Sequence, residues 1–527
     1  MKKYFLATAA LATTLLLGAC SKNNGIGMTL PNGDEKFITS DVANITKQEV
    51  FEEMVHYAGL PALLDLVDYD VLSQKYEINT AEIDDTIAKY KELYPEFDDF
   101  LAGQGFKDEE ALRQYLALNL YRKAAAYAQI TVTDEEIQKA YDTKYSEIIV
   151  TDEEGANEEV DVEEDVVEAP ALEDVKDEIK QELIQSKLTN ELIVSTLATE
   201  REEAGFTILN DYLETQYTEV SATYEEVKET SDSIVAKTND AEYTIEQLYN
   251  ELLPAYGLSQ GISLIDGKLL ENKYKPDEKS IKELIDQFKV AYGTSYYTVM
   301  ASAGLTTDEE IYEYFKLAHL QDAALAEAYP ITDERLQADY DAYHKKLKAR
   351  HILVENEETA KEIIAKLDAA EDKEATFKEL AAEYGTDSTK SNGGDLGAFD
   401  EGQMVAEFEN ATKALEVNTY TAEPVQTQFG YHVIYRYDDP RSFEEMKEEL
   451  KSAAITSEYT QLRLEMLLIN LRSEANFTFT DEVLQQRYEK IVANIATQAA
   501  AEEAARTTTS TTENETVTEE DTTTPEE

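Results

Sequence analysis

The most constraining feature of this chain is an internal repeat whose two halves return at different distances. Thr46-Lys-Gln-Glu49 and Thr244-Ile-Glu-Gln247 are both capping boxes, in which a Thr oxygen accepts an orphan amide proton and a Glu or Gln reaches back. Gly105, Leu112, Tyr115 and Leu118 reappear as Gly304, Ile311, Tyr314 and Leu317, 199 residues on. Val132-Thr133-Asp134-Glu135 and Tyr141-Asp142 return at the same interval, as Ile331-Thr332-Asp333-Glu334 and Tyr340-Asp341. Beyond residue 170 the interval becomes 271: Leu172-Glu173 matches Phe443-Glu444, Leu197 matches Leu468, Phe206-Thr207 matches Phe477-Thr478, and Tyr217 matches Tyr488. The second copy thus holds 72 residues more than the first (271 less 199), about one small domain. In the first copy the gap is bridged by 151–170, rich in Asp and Glu and without Lys or Arg, which is linker chemistry.

The repeated parts read as helical. Leu172, Val175, Ile179 and Leu183 recur at helical spacing, and Thr133 opens another helix. Short β-rich pieces, Phe37-Ile38-Thr39 and Phe477-Thr478-Phe479, are suited to pairing at the edges. The expected fold is α+β: two tandem, mostly helical, chaperone-like lobes, the second carrying an inserted α/β domain. The expected boundaries are 36–235 for the first lobe, 236–345 and 439–498 for the two parts of the second, and 346–438 for the insert. From 499 to 527 the Thr/Glu-rich sequence predicts a disordered acidic tail.

Charge excludes several functions. Asp and Glu total 110 against 47 Lys and Arg, a formal charge of −63. A nucleic-acid binder needs a basic footprint, and so does docking on anionic lipid. One Cys cannot form an internal disulfide, and five scattered His do not suggest a metal centre, so neither a metal nor a cofactor is expected.

The first residues carry a targeting signal. Lys2 and Lys3 precede an apolar stretch, Phe5 to Leu17, too short for a comfortable membrane span. It ends in Leu17-Gly18-Ala19-Cys20, with the only cysteine of the chain. This resembles the lipobox of bacterial lipoproteins, which implies a signal peptide over 1–19, a lipidated Cys20, and a tether over 20–35. The implied location is the extracytoplasmic face of a cell membrane, as at the membrane–wall interface of a Gram-positive bacterium.

The insert reads differently from its flanks. Ala349 to Val354 is a short buried-type strand, 357–367 and 375–384 are helical, and a Gly-rich loop covers 385–397. A further helix is expected over 404–415, then a turn and a strand from Pro424 to Ile434, giving β-α-α-α-β. Arg350-His-Ile-Leu-Val354, Gly393-Gly-Asp-Leu-Gly-x-Phe399, Gly402-Gln-Met404 with Phe408-Glu409, and Pro424-Val-x-Thr-x-Phe-Gly-Tyr-His432 follow in order. In these motifs the domain resembles the parvulin family of peptidyl-prolyl cis/trans isomerases. With the lipobox and helical flanks, the whole resembles the PrsA-type foldase lipoproteins.

The resemblance implies a catalytic set of His351, Asp387, Thr427 and His432, the two histidines facing each other under the site. It implies a proline-ring pocket of Leu396, Met404 and Phe408, with Phe399, Gln403 and Phe429 beside it. The sequence departs from the family pattern at two places: Asn418 where Gly is usual, and Thr412-Lys413 in place of a small-aromatic pair. The reaction asks for no nucleophile. Rotation about an amide C–N bond faces roughly 18–20 kcal/mol, and X-Pro is the bond at which cis is populated. An apolar pocket favours the twisted amide, which is less dipolar than the planar one. The acidic run Glu355, Glu357, Glu358 lacks the Arg or Lys that phosphoserine-proline selectivity would need. The implied partners are unfolded secreted chains with X-Pro segments; whether the lobes form a homodimer stays open. The alternatives are a holdase with a weak or vestigial isomerase domain, and a wall-spacing protein, which leaves the parvulin motifs unexplained.

Overall fold

A computed structural model describes residues 25–145 and 169–515, apart from 222, 223, 225 and 228, with side chains to 505. Cys20, the signal segment, most of the acidic bridge and the end of the tail lie outside the described residues. The chain divides into two compact units. One is Asp322–Leu464; the other holds the described residues up to Gln321 and from Glu465.

The two-part unit opens with β1 (Lys36–Thr39) and β2 (Ile45–Thr46), then the long helix α1 (Lys47–Lys75). Helices α2 (Thr80–Leu93), α3 (Phe97–Gly103), α4 (Glu109–Ala128) and α5 (Asp134–Lys144) follow. After the bridge come α6 (Leu172–Lys187), α7 (Asn190–Glu203), β3 (Thr207–Ile208) and α8 (Asp211–Val220). The second copy begins with β4 (Ile234–Lys237), β5 (Glu242–Thr244) and α9 (Ile245–Lys273). It continues through α10 (Glu278–Tyr292), α11 (Tyr296–Ser302) and α12 (Asp308–Ala328). Both capping boxes form: Thr46 receives the Glu49 amide and Thr244 that of Gln247, starting α1 and α9 at equivalent positions.

The second unit contains α13 (Asp333–Lys345), β6 (Leu347–Val354), α14 (Glu357–Ala369) and α15 (Lys373–Tyr384). Then follow β7 (Asp395–Phe399), α16 (Ala406–Ala414), β8 (Thr419–Tyr420), β9 (Val425–Thr427), β10 (Gly430–Arg436) and α17 (Phe443–Glu458). The described residues end with α18 (Gln461–Glu474), β11 (Thr478–Phe479) and α19 (Glu482–Glu515). The expected tail start at 499 is thereby corrected for 499–515, which continue α19. Ala499, Ala500, Ala501, Ala504 and Ala505 explain this, since Ala is the strongest helix former.

The two copies exchange strands. The sheet at the start of the chain has the order β11-β1-β2, with Ile38 opposite Phe479 and Thr39 opposite Thr478. Its counterpart has the order β3-β4-β5, with Thr207 opposite Lys237. Each sheet therefore takes its first strand from one copy and the other two from the other. The expected lobe border at 235/236 falls inside β4.

Helices α1 and α9 pack together: the equivalent residues Phe51 and Tyr249 meet edge-on at 5.9 Å, and Tyr57 lies edge-on to Tyr256, one place beyond its own equivalent Ala255, at 5.2 Å. The β11-β1 edge presses on α9 at Gly261, where a Cβ would stand 2.9 Å from Phe37, 3.1 Å from Ile38 and 3.2 Å from Phe479. A buried ion pair also occurs twice. Arg201 grips Asp68 through two bonds of 2.7 and 2.8 Å, and Arg472 meets Asp266 at 3.0 Å. Arg201 and Arg472 lie over the equivalent rings Tyr217 and Tyr488. Asp68 gains Arg122 as a second partner, whereas the equivalent of Arg122 is Gln321. Burial, opposed by Arg472, pushes Asp266 up to about 7.

Where the extra 72 residues enter, each copy has the same helix pair. In the first, the Tyr141 hydroxyl donates to the Pro170 carbonyl (2.6 Å) and Lys176 pairs with Asp134 (3.0 Å). In the second, Tyr340 donates to the Arg441 carbonyl (3.0 Å) and Lys447 pairs with Asp333 (2.7 Å). The insert thus sits on a helix pair that the first copy keeps without it.

Candidate active site

The insert is built on β6 and β10, antiparallel neighbours at the centre of a five-stranded sheet. Alternation along β6 sends Ile352 and Val354 to one face, where with Val433 and Tyr435 they pack on Ile363, Leu367, Phe377 and Leu380 of α14 and α15. The opposite face gathers Ala349, Ile434, Phe399 and Phe408, with Leu396, Met404 and Val425 packed against them. Sequence reading gave Gly-rich 385–397 as loop; β7 begins within it at Asp395. His351 donates its backbone N–H to the Gly394 carbonyl at 2.8 Å. Gly394 has φ +75°, and a Cβ there would lie 2.2 Å from the His351 carbonyl oxygen, so only glycine allows this approach.

His351 and His432 share the pocket face. His351 stands opposite Ile434 and His432 opposite Leu353, so the two are diagonal neighbours. Their rings lie 5.2 Å apart and nearly parallel, with Nδ1 3.0 Å from Nδ1. The Phe408 ring stands edge-on to both, at 5.7 and 5.3 Å. His432 Nε2 lies 2.8 Å from Thr427 Oγ1, which accepts the Phe429 amide proton at 3.1 Å. His351 Nε2 lies 2.9 Å from Asp387 Oδ2, with the ring N–H not squarely aimed at the oxygen. Asp387 also caps the short turn 388–392, accepting the Thr389 amide at 3.1 Å and hydroxyl at 2.6 Å.

Electrostatics fix the proton order. Burial lowers His351, against the pull of Asp387. Burial and the neighbouring His351 lower His432 to about 4. Burial alone would raise Asp387, but the Thr389 donors and His351 bring it below the ordinary carboxylate range. Near neutral pH the carboxylate is charged and both rings are neutral. The consistent arrangement has Thr427 donating to His432, His432 Nδ1–H donating to His351 Nδ1, and the His351 Nε2 proton facing Asp387. Such a chain is a rigid polar floor beneath an apolar wall.

The structure thus brings together His351, Asp387, Thr427 and His432, and beside them Leu396, Phe399, Met404 and Phe408. Gln403 is turned into a local bend, where its side-chain oxygen accepts the Asp400 amide at 3.0 Å. Phe429 is exposed, held only through its backbone to Thr427. Sequence reading missed Thr389, and also Glu409, which accepts the Gly402 amide at 2.7 Å and steadies the loop carrying Met404. Asn418 adopts φ +64°, a left-handed conformation that Asn tolerates, so Gly is not needed there. Thr412 is fully buried and donates to the Phe408 carbonyl at 2.9 Å.

A model of the PPIC-type PPIASE domain matches residues 335–439. The foldase protein PrsA of Geobacillus kaustophilus is 38% identical over 263 residues, covering 49% of this chain and 90% of that one. The chain belongs to the PrsA foldase family. PrsA of Bacillus subtilis is 33% identical over 223 residues, covering 42% of this chain and 74% of its own. The crystal structure of PrsA from Bacillus cereus aligns with 30% identity over 49% of this chain and 98% of that one, at a TM-score of 0.30. As a PrsA-family foldase with a parvulin-type domain, the protein is a peptidyl-prolyl cis–trans isomerase acting on unfolded protein chains. Among the described residues no helix is long and apolar enough to cross a membrane.

Proposed function

We propose that isomerisation takes place over the Asp387–His351–His432–Thr427 chain, with the proline ring held by Leu396, Met404 and Phe408. The observation that carries this reading is the 3.0 Å contact between two buried neutral imidazoles beneath that apolar wall. No bond is made or broken, so the site works by shape and polarity. The apolar wall grips the ring and strips water from the planar amide, and the twisted amide loses less by leaving water. The histidines act as positioning residues that hold the pocket face flat; they carry no proton to substrate.

The protein is further proposed to be anchored by lipid at Cys20 on the extracytoplasmic side, where its clients would be secreted chains. The lone cysteine after Leu-Gly-Ala supports this. The first copy, which lacks the insert, is proposed to bind clients without isomerising them. An assay of the full chain on a short X-Pro peptide tests the enzyme reading, and folded Met404→Ala/Phe408→Ala should lose most of the activity. Full activity in that variant would refute the pocket. No activity in the unmodified chain, with aggregation still suppressed, would favour the holdase reading. The intact mass of membrane-extracted protein tests the anchor; a first residue other than Cys20, or no acyl mass, would rule it out.

A further inference from the structure

The first copy carries an aromatic tip that its own core does not need. Around α3, Tyr94 stacks on Phe100 at 4.2 Å and 13°, with Phe97 and Tyr90 against the same ring. Across α4, Tyr115 leans on Phe106 at 5.5 Å. Core packing accounts for the inner rings, which lie against Ile83, Ile87, Leu101 and Leu112. It does not account for Leu93, Tyr94 and Tyr115, which remain 68%, 44% and 49% exposed. Exposed apolar groups gathered in one place mark interaction surfaces.

The second copy supplies an internal comparison. Tyr292 is the equivalent of Tyr94, stacks on Phe288 at 5.0 Å, and is likewise exposed. An exposed ring at this place has therefore been kept in both copies while much of the sequence around it has diverged. The charge at the tip has not been kept. Each tip has one lysine over its rings, Lys91 over Phe97 and Lys289 over Tyr296, but between residues 92 and 99 the first copy adds Glu92, Glu96, Asp98 and Asp99, whereas 290–298 of the second copy contain no carboxylate. Asp99 pairs with Lys490. Glu92, Glu96 and Asp98 are exposed and take part in no ion pair.

We infer that this tip binds extended, positively charged, apolar segments of unfolded chains, and that the second tip, which has no carboxylates there, lacks this preference. The inference rests on the foldase reading and gives it a substrate class. Flat rings take aliphatic and aromatic side chains without demanding a sequence. Arg and Lys can stack on the same rings while their charge meets the rim. Acidic groups around the rings steer cationic segments and repel acidic ones.

The test uses the full chain and labelled proline-free peptides of equal apolar content, one rich in Lys and Arg, one rich in Asp and Glu. Anisotropy at low salt should show the cationic peptide binding at least about tenfold more tightly, with the difference shrinking at high salt. The variant Glu92→Lys/Glu96→Lys/Asp98→Lys should weaken cationic binding about tenfold. Tyr94→Ser/Tyr115→Ser, both at exposed positions, should weaken it too. Isomerase activity on a short X-Pro peptide, read on the same samples, should be unchanged in both. Equal binding of the two peptides, or cationic binding untouched by both variants, would overturn the inference. Absence of isomerase activity from the unmodified chain would instead strike the foldase reading.

Discussion

The paired histidines predict a specific acid sensitivity. Burial and the neighbouring ring hold His432 near 4, against 6.5 for a free imidazole. Above pH 6.5 the ring is neutral in both folded and unfolded chains, so it adds no dependence. Between 6.5 and about 4 the unfolded chain takes up a proton that the folded domain refuses, and stability falls as the pH falls through that window. The gap corresponds to a ceiling of about 3 kcal/mol, and solvent screening brings the expected loss to about 1–2 kcal/mol. Geometry agrees: His432 Nδ1–H already points at His351 Nδ1, so a further proton enters His432 at Nε2 and costs the hydrogen bond that Thr427 donates there. Denaturant unfolding of the full chain and of His432→Gln, followed from about pH 7 to about pH 4 through resonances of the insert, measures this. The difference between the two stabilities should shift by about 1–2 kcal/mol across the window, the unmodified chain being the more acid-sensitive. Parallel profiles would refute the reasoning, and so would an NMR midpoint for His432 at or above 6.5.

Three further outcomes follow from packing. Met404→Ala should lower kcat/KM on X-Pro peptides by about 5–30-fold with little change in unfolding midpoint, because the side chain is partly exposed on the apolar face proposed to hold the proline ring. Gly394→Ala places a Cβ 2.2 Å from the His351 carbonyl at positive φ and should cost the insert at least about 3 kcal/mol; an unchanged denaturation midpoint would contradict the close approach. Gly261→Val crowds Phe37, Ile38 and Phe479 together and should destabilise the two-part unit by about 1–3 kcal/mol, read by thermal unfolding.

The repeat, the insert and the pocket face were legible because each leaves a local trace. The capping boxes recur at fixed phase, and β6 and β10 carry the short, largely buried apolar runs, Ile352-Leu-Val354 and Val433-Ile434, of strands covered on both faces. The pairing of His351 with His432 needed the family resemblance, since two isolated His residues read equally well as satisfied core. Strand β7 escaped because Gly393, Gly394 and Gly397, all at positive φ, read as loop punctuation although the chain pairs between them. The strand exchange escaped for a different reason. Strands of two to four residues have too little sequence to choose a partner, so the choice is made by what packs beneath them, such as Gly261 under Phe37 and Phe479. Thr389 and Glu409 were invisible because their contacts are set by loop geometry.

The exchanged strands also put the molecule on a clock. Thr480 donates its hydroxyl proton to the carbonyl of Lys36, a partner 444 residues earlier. Until Phe479 has been synthesised and delivered, Phe37 and Ile38 wait as an open edge, and the first sheet of the protein is the last to close. Loop length makes this only slightly costly at equilibrium, since doubling a loop adds only about 0.6 kcal/mol, but such remote pairing is slow. A protein that shelters incomplete chains thus spends its own assembly as one.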